Sequence, residues 1–243
     1  MSATGRRGAR LNPTGDSCHL RADNPKGDYA MTVTTAEFEA LTPVPYSQAR
    51  AQMRTGDILL FHSSGLGSAL IEYATHSLWC HAGFVWNIEH IDRILLLESV
   101  DTYGVRSMSL SNKINGSMAS PKPYPGKLLL ARHQDFPHPA PAIDVRKMTG
   151  FAIDRLGFPY STEELARVAE RIAAGMAGIS VRSQLDPTRA YICSEYVAKS
   201  YEAMGLTLAP DKAGYIAPAD IANDPKVFAV CAICPDPAPA PAA

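Results

Sequence analysis

The stretch that decides the fold reads His81-Ala-Gly-Phe-Val-Trp86 and, after a polar turn, Ile94-Leu-Leu-Leu-Glu-Ser99. Both halves are short apolar runs bounded by polar residues, so the sequence predicts an antiparallel β-hairpin. With the turn centred on the Glu89-His90 peptide, His81 lies directly opposite Glu98, and their Cβ atoms are about 5 Å apart. A carboxylate in that place orients the imidazole and stabilises its protonated form, which predicts an acid–base pair at the start of the hairpin.

Further strands are predicted on both sides of this hairpin, and helices mainly after it. The helices carry end signals: Asp144 is a predicted N-cap, Ser161-Thr-Glu-Glu164 is a capping-box pattern, and Gly205 is a suitable C-cap. Because strands come mostly first and helices mostly later, the order predicts an α+β fold with an antiparallel sheet packed against helices. The predicted strands are 57–61, 81–86, 94–99, 104–108, 127–132 and 227–233, and the predicted helices are 65–75, 144–156, 161–177 and 193–204.

The 243 residues suffice for one large domain. Residues 1–35 are rich in Gly, Asn, Pro, Asp and Arg without periodicity, and are predicted to be a disordered N-terminal extension. Residues 36–234 are predicted to form a single domain. Residues 235–243 are a Pro/Ala-rich tail, a composition that does not form a packed core.

Composition narrows the classes of protein to which the chain can belong. Lys and Arg number 23 against 24 Asp and Glu, and no basic stripe is present, which argues against a nucleic-acid partner. The five cysteines have no framework spacing, so a reducing compartment is expected rather than a disulfide scaffold. The chain shows no apolar run long enough to cross a bilayer and no secretory signal pattern. These features predict a soluble, cytoplasmic protein without an integral membrane segment.

A reactive thiol is predicted at Cys193, in Tyr191-Ile-Cys-Ser-Glu-Tyr196, where a helix begins. Unpaired backbone N–H groups and the helix dipole favour negative charge at a helix N-terminus, and so favour thiolate. A Cys–His pair requires only spatial proximity, in either chain order. Cys193 with an imidazole from elsewhere in the chain, for which His81 with Glu98 behind it is one candidate, therefore indicates acyl-transfer chemistry.

Other interpretations of these residues stay open at this point. A free cysteine is more often a small buried hydrophobe than a nucleophile. His81 is equally compatible with an ordinary strand-end residue, and Glu98 with a solvated residue of the hairpin. His62 and His76 are competing imidazoles that spacing alone does not exclude.

Metal and cofactor signals are weak. Cys231-x-x-Cys234 is half of a zinc or redox motif, but no second pair completes it, so these cysteines are interpreted as incidental. His76, Cys80 and His81 have a spacing that fits no single regular element. Gly65-Leu-Gly67 lacks the lysine and Ser/Thr of a phosphate loop. No metal and no cofactor are predicted.

Several short motifs follow one another along the chain: Gly56-Asp57, His81-Ala82-Gly83, Glu98, Gly157-Phe158-Pro159-Tyr160, Cys193-Ser194-Glu195 and Tyr215–Asp220. Taken together, they resemble the motifs of NlpC-type cell-wall peptidases with the two halves of the chain exchanged. In those peptidases the tyrosine and cysteine motifs precede the Gly-Asp and His-x-Gly motifs. The chain thus resembles the permuted papain-like amidases of the YaeF/YiiX type, over roughly Thr55 to Asp220.

The resemblance implies a circularly permuted papain-like (NlpC-like) fold and a thiol amidase or peptidase-type hydrolase. By match, Cys193 is the nucleophile, His81 the general base and acid, and Glu98 the polar third member. Tyr160 and Ser194 are expected to contact the substrate or the oxyanion. Peptides, isopeptides, N-acyl amines and lipid amides are all compatible substrates.

Two alternatives remain at the level of the sequence. One is a lipid acyltransferase or thioesterase of the same fold, as in the lecithin retinol acyltransferase relatives, although those proteins typically have a second histidine where this chain has Glu98. The other is a catalytically idle member that binds a peptide or acyl group. Asp57 of the Gly-Asp pair is expected to be structural, and the oligomeric state is left open.

Overall fold

The computed structural model describes residues 38–62, 78–136, 142–162, 190–208 and 216–238. These residues form a mixed α+β structure around a sheet of seven strands. The strands are β1 Val44–Pro45, β2 Ile58–His62, β3 His81–Ile88, β4 Arg93–Val100, β5 Gly104–Ser109, β6 Lys127–His133 and β7 Val227–Cys234. The α-helices are α1 Tyr46–Ala49, α2 Leu110–Asn115, α3 Ala142–Ile153, α4 Cys193–Ala203 and α5 Pro218–Ala222, and two 3-10 turns cover Arg50–Gln52 and Glu89–Ile91.

The strands lie in the order β1-β7-β6-β2-β3-β4-β5. Every neighbouring pair is antiparallel except β1 and β7, which are parallel. The predicted α+β class is confirmed, and the predicted antiparallel sheet is confirmed apart from the short β1. The predicted strands and the hairpin all lie within one or two residues of the observed bounds, because their apolar runs end at polar turns.

The register of the β3–β4 hairpin differs from the prediction by two residues. Gly83, not His81, lies opposite Glu98. The strands are joined by the 3-10 turn Glu89–Ile91 and by Asp92 in a left-handed conformation with φ of 50°, which moves the centre of the turn one residue along. Because side chains alternate between faces, a shift of two residues leaves His81 and Glu98 on the same face of the sheet.

The two faces of the sheet bury two different sets of side chains. Along β2, Ile58 and Leu60 join one core with α3 and α4, while Leu59 and Phe61 join a second core with α1 and α2. Helix α4 packs against β3 and β4. Its first residue, Cys193, is thereby brought to the start of β3.

A buried ion pair fixes the beginning of β2. Arg132 of β6 donates from Nε to Oδ1 of Asp57 at 2.6 Å and from Nη2 to Oδ2 at 2.8 Å. Gly56 has a φ of 92°, and a Cβ there would overlap the ring of Phe136. The hydroxyl of Tyr201 donates to the Gly56 carbonyl and so ties α4 to the same turn. The Gly-Asp pair therefore holds β2, β6 and α4 together.

Helix ends agree with the prediction at one place and differ at another. Gly205 follows the last turn of α4 with a φ of 90°, the conformation expected of a C-terminal glycine. The predicted N-cap at Asp144 is wrong because α3 begins two residues earlier, at Ala142, which places Asp144 in its first turn. There its Oδ1 lies 3.8 Å from Nζ of Lys147, an exposed i,i+3 pair that stabilises a helix only weakly.

Contacts of the domain continue past the predicted boundary at 234. Asp236 accepts a hydrogen bond from the backbone N–H of Ser47 at 2.8 Å and one from Nδ2 of Asn115 at 2.7 Å. The predicted extension 1–35, the helix 65–75 and most of the helix 161–177 lie outside the described residues. Among the helices that the structure describes, none is long and apolar enough to cross a membrane.

Candidate active site

Cys193 is the first residue of α4 and is 5% exposed. The preceding Ile192 is extended and offers no side-chain cap, so the first N–H groups of the helix stay available to the sulfur. The backbone N–H groups of Ser194 and of Ala82 donate hydrogen bonds to Sγ of Cys193. The hydroxyl of Ser99 donates to the Tyr191 carbonyl at 2.7 Å and holds this helix start against β4. The thiol thus lies at a helix N-terminus, as the sequence predicts.

His81 is placed between Cys193 and Glu98. Its Nε2 lies 2.8 Å from Oε2 of Glu98, and its side chain also forms a hydrogen bond with Cys193. Since Nε2 is engaged by the carboxylate, we assign the contact with the sulfur to Nδ1. The imidazole packs against the ring of Phe61 at a centroid distance of 5.2 Å and keeps 19% of its surface exposed. The structure therefore brings together all three residues that the sequence analysis joins.

Glu98 is fully buried and is surrounded by cations. Arg106 donates from Nε at 2.8 Å and from Nη2 at 2.5 Å, both to Oε1. The Nζ of Lys113 lies 3.7 Å from Oε2, the same oxygen that contacts His81. Burial favours the neutral acid, but His81, Lys113 and Arg106 outweigh it and lower the pKa of Glu98 to about 2. The carboxylate is therefore ionised at neutral pH.

The thiol and the imidazole favour the ion pair. Burial opposes charge on His81, but the adjacent Cys193 sulfur and then the Glu98 carboxylate raise the pKa of His81 to about 9. Burial likewise opposes thiolate, yet His81 and the N–H groups of Ala82 and Ser194 lower the pKa of Cys193 below its ordinary value. A thiolate beside an imidazolium is the reactive form of a nucleophilic cysteine.

The two further residues proposed by resemblance occupy different places. Tyr160 is half-buried beside Ile192 and forms an isolated parallel bridge with Tyr191. Burial, followed by the negative charges of Cys193 and Asp101, raises the pKa of Tyr160, so its phenol stays protonated near the sulfur. Ser194 does not present its hydroxyl to the site, because that group donates to the carbonyl of Ile216 at 2.6 Å. Only the backbone N–H of Ser194 reaches Cys193.

The competing candidates are placed elsewhere. His62 lies next to Phe61 on β2 and so points to the face opposite His81, where its Nδ1 lies 3.0 Å from the Leu78 carbonyl. His76 lies outside the described residues. Cys231 and Cys234 are three residues apart on β7, which directs their side chains to opposite faces. Within the described parts of the chain, no three His, Cys, Asp or Glu side chains are grouped as metal ligands.

Sequence reasoning missed Arg106 and Lys113. Arg106 lies directly opposite Glu98 in the β4–β5 pair, so the cross-strand register of that pair carries the signal for the first contact. Lys113 approaches from α2, a helix that the sequence analysis did not predict. The site is thus a thiol, an imidazole and a carboxylate in series, with two cations behind the carboxylate.

Known proteins to which this chain is similar are found among solved structures. No protein-family model matches the chain, and no curated protein matches it. Among solved structures, the crystal structure of the metalloprotein yiiX from Escherichia coli O157:H7 aligns with a TM-score of 0.43 and 21% identity, covering 76% of this chain and 99% of that one. The metal in that description is a property of that protein.

Proposed function

We propose that this protein is a thiol-dependent hydrolase that cleaves an amide bond through Cys193, His81 and Glu98 and a thioester intermediate. The observation that carries the proposal is the unbroken series of hydrogen bonds from the sulfur through His81 to Glu98, at the start of a helix. We further propose that the fold is a circularly permuted papain-like one. In its support, the Gly-Asp strand and the histidine hairpin precede the cysteine helix along the chain.

Acylation begins with the thiolate of Cys193 attacking the carbonyl carbon of the amide. The π electrons move onto the carbonyl oxygen, and a tetrahedral oxyanion forms. As the C–N bond breaks, the leaving nitrogen takes the proton from the imidazolium of His81, and the C=O bond of a thioester is formed. Because the pKa of His81 is raised to about 9, the imidazolium keeps its proton at neutral pH until the leaving amine takes it.

Deacylation uses the same residues in reverse. Neutral His81 takes a proton from water, whose oxygen attacks the thioester carbon. Collapse of the second tetrahedral intermediate releases a carboxylic acid and returns the Cys193 thiolate beside protonated His81. Glu98 stays ionised throughout and stabilises the imidazolium by its hydrogen bond to Nε2.

Two kinds of hydrogen-bond donor near the sulfur are proposed to stabilise the oxyanion. The first-turn N–H groups of α4 carry the positive end of the helix dipole, and the protonated phenol of Tyr160 lies close enough for the charge of Cys193 to raise its pKa. One well-placed donor of this kind contributes about a hundredfold or more to the rate. Tyr160 is therefore proposed as an oxyanion or substrate contact, while the Ser194 hydroxyl is given no such role because it is bound to Ile216.

Turnover of amides with a Cys193→Ala control tests the proposal. Wild type, Cys193→Ala and Cys234→Ala are assayed against chromogenic peptide anilides, N-acyl amines and lipid amides, and acyl adducts are located by mass spectrometry. Cys234→Ala is the matched control, because that thiol is half-buried at the end of β7. We expect turnover in wild type and Cys234→Ala, none in Cys193→Ala, and an acyl adduct on Cys193. Full turnover by Cys193→Ala contradicts the proposal.

The same assay separates the alternative functions. A lipid acyltransferase transfers the acyl group from Cys193 to an added amine or alcohol faster than to water. A thioesterase hydrolyses acyl thioesters but leaves amides intact. A binding protein retains ligands without any acyl adduct on Cys193.

A further inference from the structure

We propose that Arg106 is a positioning residue that holds the Glu98 carboxylate in the orientation that directs His81 toward Cys193. The inference rests on the proposed function and deepens it. It gives Arg106 a role in the reaction, although this side chain does not contact the sulfur. It also explains how a carboxylate with no exposed surface is held in one orientation beside the imidazole.

Arg106 and His81 bind different oxygens of the Glu98 carboxylate. Both hydrogen bonds of Arg106, from Nε and from Nη2, go to Oε1. Oε2 is left to accept the hydrogen bond from Nε2 of His81 at 2.8 Å. The Nε and Nη2 donors of a planar guanidinium are fixed relative to each other, so together they hold Oε1 in place in a way that a point charge does not.

The backbone places Arg106 for this contact. Glu98 lies on β4 between two neighbours, with Gly83 directly opposite on β3 and Arg106 directly opposite on β5. Glycine supplies no side chain on its side, so Arg106 is the cross-strand partner that restrains Glu98. The guanidinium is restrained in turn by Tyr103, whose ring centroid lies 5.1 Å from the Arg106 Cζ atom.

Lys113 differs from Arg106 in its contact with Glu98. Its Nζ lies 3.7 Å from Oε2, and it sits over the rings of Phe61 and Tyr124 at 5.3 and 5.7 Å. At that distance it adds positive charge without a short hydrogen bond to the carboxylate. Lys113 therefore helps to keep Glu98 ionised, whereas Arg106 sets which oxygen faces His81.

Charge and orientation have opposite effects on the pKa of His81. The positive charge of Arg106 disfavours imidazolium, so its loss raises that pKa if Glu98 keeps its place. If Arg106 instead holds Glu98 toward His81, its loss weakens the hydrogen bond to Nε2 and the pKa of His81 falls. Substitution by lysine separates the two effects, because lysine keeps the charge and loses the planar fork.

The test is an NMR titration of the His81 imidazole in wild type, Arg106→Lys and Arg106→Gln, with the signal assigned by its absence in His81→Ala. Iodoacetamide alkylation of Cys193 is followed in parallel. Arg93→Lys is the matched control, since Arg93 is an exposed arginine on the same strand as Glu98. We expect the pKa of His81 to fall in both Arg106 variants by about one unit or more and Cys193 alkylation to slow about tenfold. Arg93→Lys should match wild type.

An unchanged pKa of His81 in Arg106→Lys together with a raised one in Arg106→Gln overturns the inference, because charge alone then accounts for Arg106. If Arg106→Gln fails to fold because it leaves a buried carboxylate with one partner fewer, Arg106→Lys decides the question by itself. Failure of the proposed function has a different signature. In that case wild-type Cys193 is alkylated no faster than the other cysteines and is indifferent to His81→Ala.

Discussion

Nε2 of His81 donates a hydrogen bond to Oε2 of Glu98 at 2.8 Å, although the residue opposite Glu98 in the hairpin is Gly83. The two side chains meet diagonally across β3 and β4, a separation that a long glutamate and an imidazole can span. In this diagonal arrangement His81 is the first residue of β3, and its side chain reaches Cys193 there. Gly83 leaves room for the start of the Glu98 side chain, because a Cβ at this position would lie 3.3 Å from Cβ of Glu98.

Gly83→Ala is expected to weaken the contact between His81 and Glu98. A Cβ at this position would lie 2.7 Å from a methyl group of Leu96, 3.0 Å from the Leu97 carbonyl and 3.3 Å from Cβ of Glu98. We expect Cys193 alkylation near neutral pH to slow about tenfold and the protein to lose roughly 1–3 kcal/mol of unfolding free energy. Kinetics of alkylation and urea unfolding measure the two effects.

Gly150→Ala is the matched control for that substitution. Gly150 lies in α3, and outside its chain neighbours and the backbone of its own helix no atom of the described residues comes within 4 Å of its added Cβ. Alanine there should leave alkylation unchanged and hold or raise the stability, because alanine favours helix. Equal behaviour of the two variants contradicts the role assigned to Gly83.

Glu98→Gln is expected to narrow the pH range of the proposed amide hydrolysis from the alkaline side. Glu98 contributes to raising the pKa of His81 to about 9, so its neutral replacement lowers that pKa, and protonated His81 is lost at lower pH. The leaving amine then lacks its proton donor, so the alkaline limb of kcat/KM moves down and the rate near neutral pH falls at least about tenfold. Glu89→Gln, an exposed glutamate in the same hairpin, should keep the wild-type profile. A wild-type alkaline limb in Glu98→Gln removes Glu98 from the mechanism.

The dependence of the unfolding free energy on acid pH should also report the lowered pKa of Glu98. The pKa of this carboxyl falls from an ordinary 4.5 to about 2 in the folded protein, so the stability it contributes is complete above 4.5 and is lost as the pH falls toward about 2. Urea unfolding between about pH 5 and about pH 3 should therefore show a steeper loss of free energy in wild type than in Glu98→Gln. Parallel slopes in the two proteins would show that Glu98 has an ordinary pKa in the folded state.

Sequence periodicity predicted the sheet more securely than the contacts within the site. The alternation of strand side chains predicts that His81 and Glu98 share one face, and a register error of two residues preserves that face. The error itself came from the turn, where Asp92 adopts a left-handed conformation that residue type alone did not reveal. Faces of strands are therefore predictable here even where the exact pairing is not.

The cations behind Glu98 cannot be predicted from the β3–β4 hairpin alone. Arg106 faces Glu98 only once β5 is registered against β4, and Lys113 comes from α2, whose six residues are too few for a clear helical period. The approach of Cys193 to His81 depends on how α4 packs on β3, a long-range contact that local pattern does not specify. At the level of the sequence, the resemblance to permuted papain-like amidases pairs Cys193 with His81, and periodicity does not.

Asp57→Asn is expected to reduce stability without changing the thiol. Asp57 is buried and paired with Arg132, so loss of its charge should cost roughly 2–4 kcal/mol of unfolding free energy. Cys193 in the folded variant should be alkylated at the wild-type rate. Asp92→Asn breaks the exposed pair with Arg50 and should cost about 1 kcal/mol or less. A selective loss of Cys193 reactivity in folded Asp57→Asn would assign Asp57 to the site instead.

The measurement that tests the central claim most directly is the rate of iodoacetamide alkylation of each cysteine across pH, in wild type and His81→Ala, with the modified residues mapped by mass spectrometry. We predict that Cys193 reacts faster than the other cysteines, that it stays reactive well below its ordinary pKa of 9.0, and that His81→Ala abolishes this advantage. A Cys193 that is inert in the folded protein and indifferent to His81→Ala would contradict the account and would leave this thiol a packing residue at the start of α4.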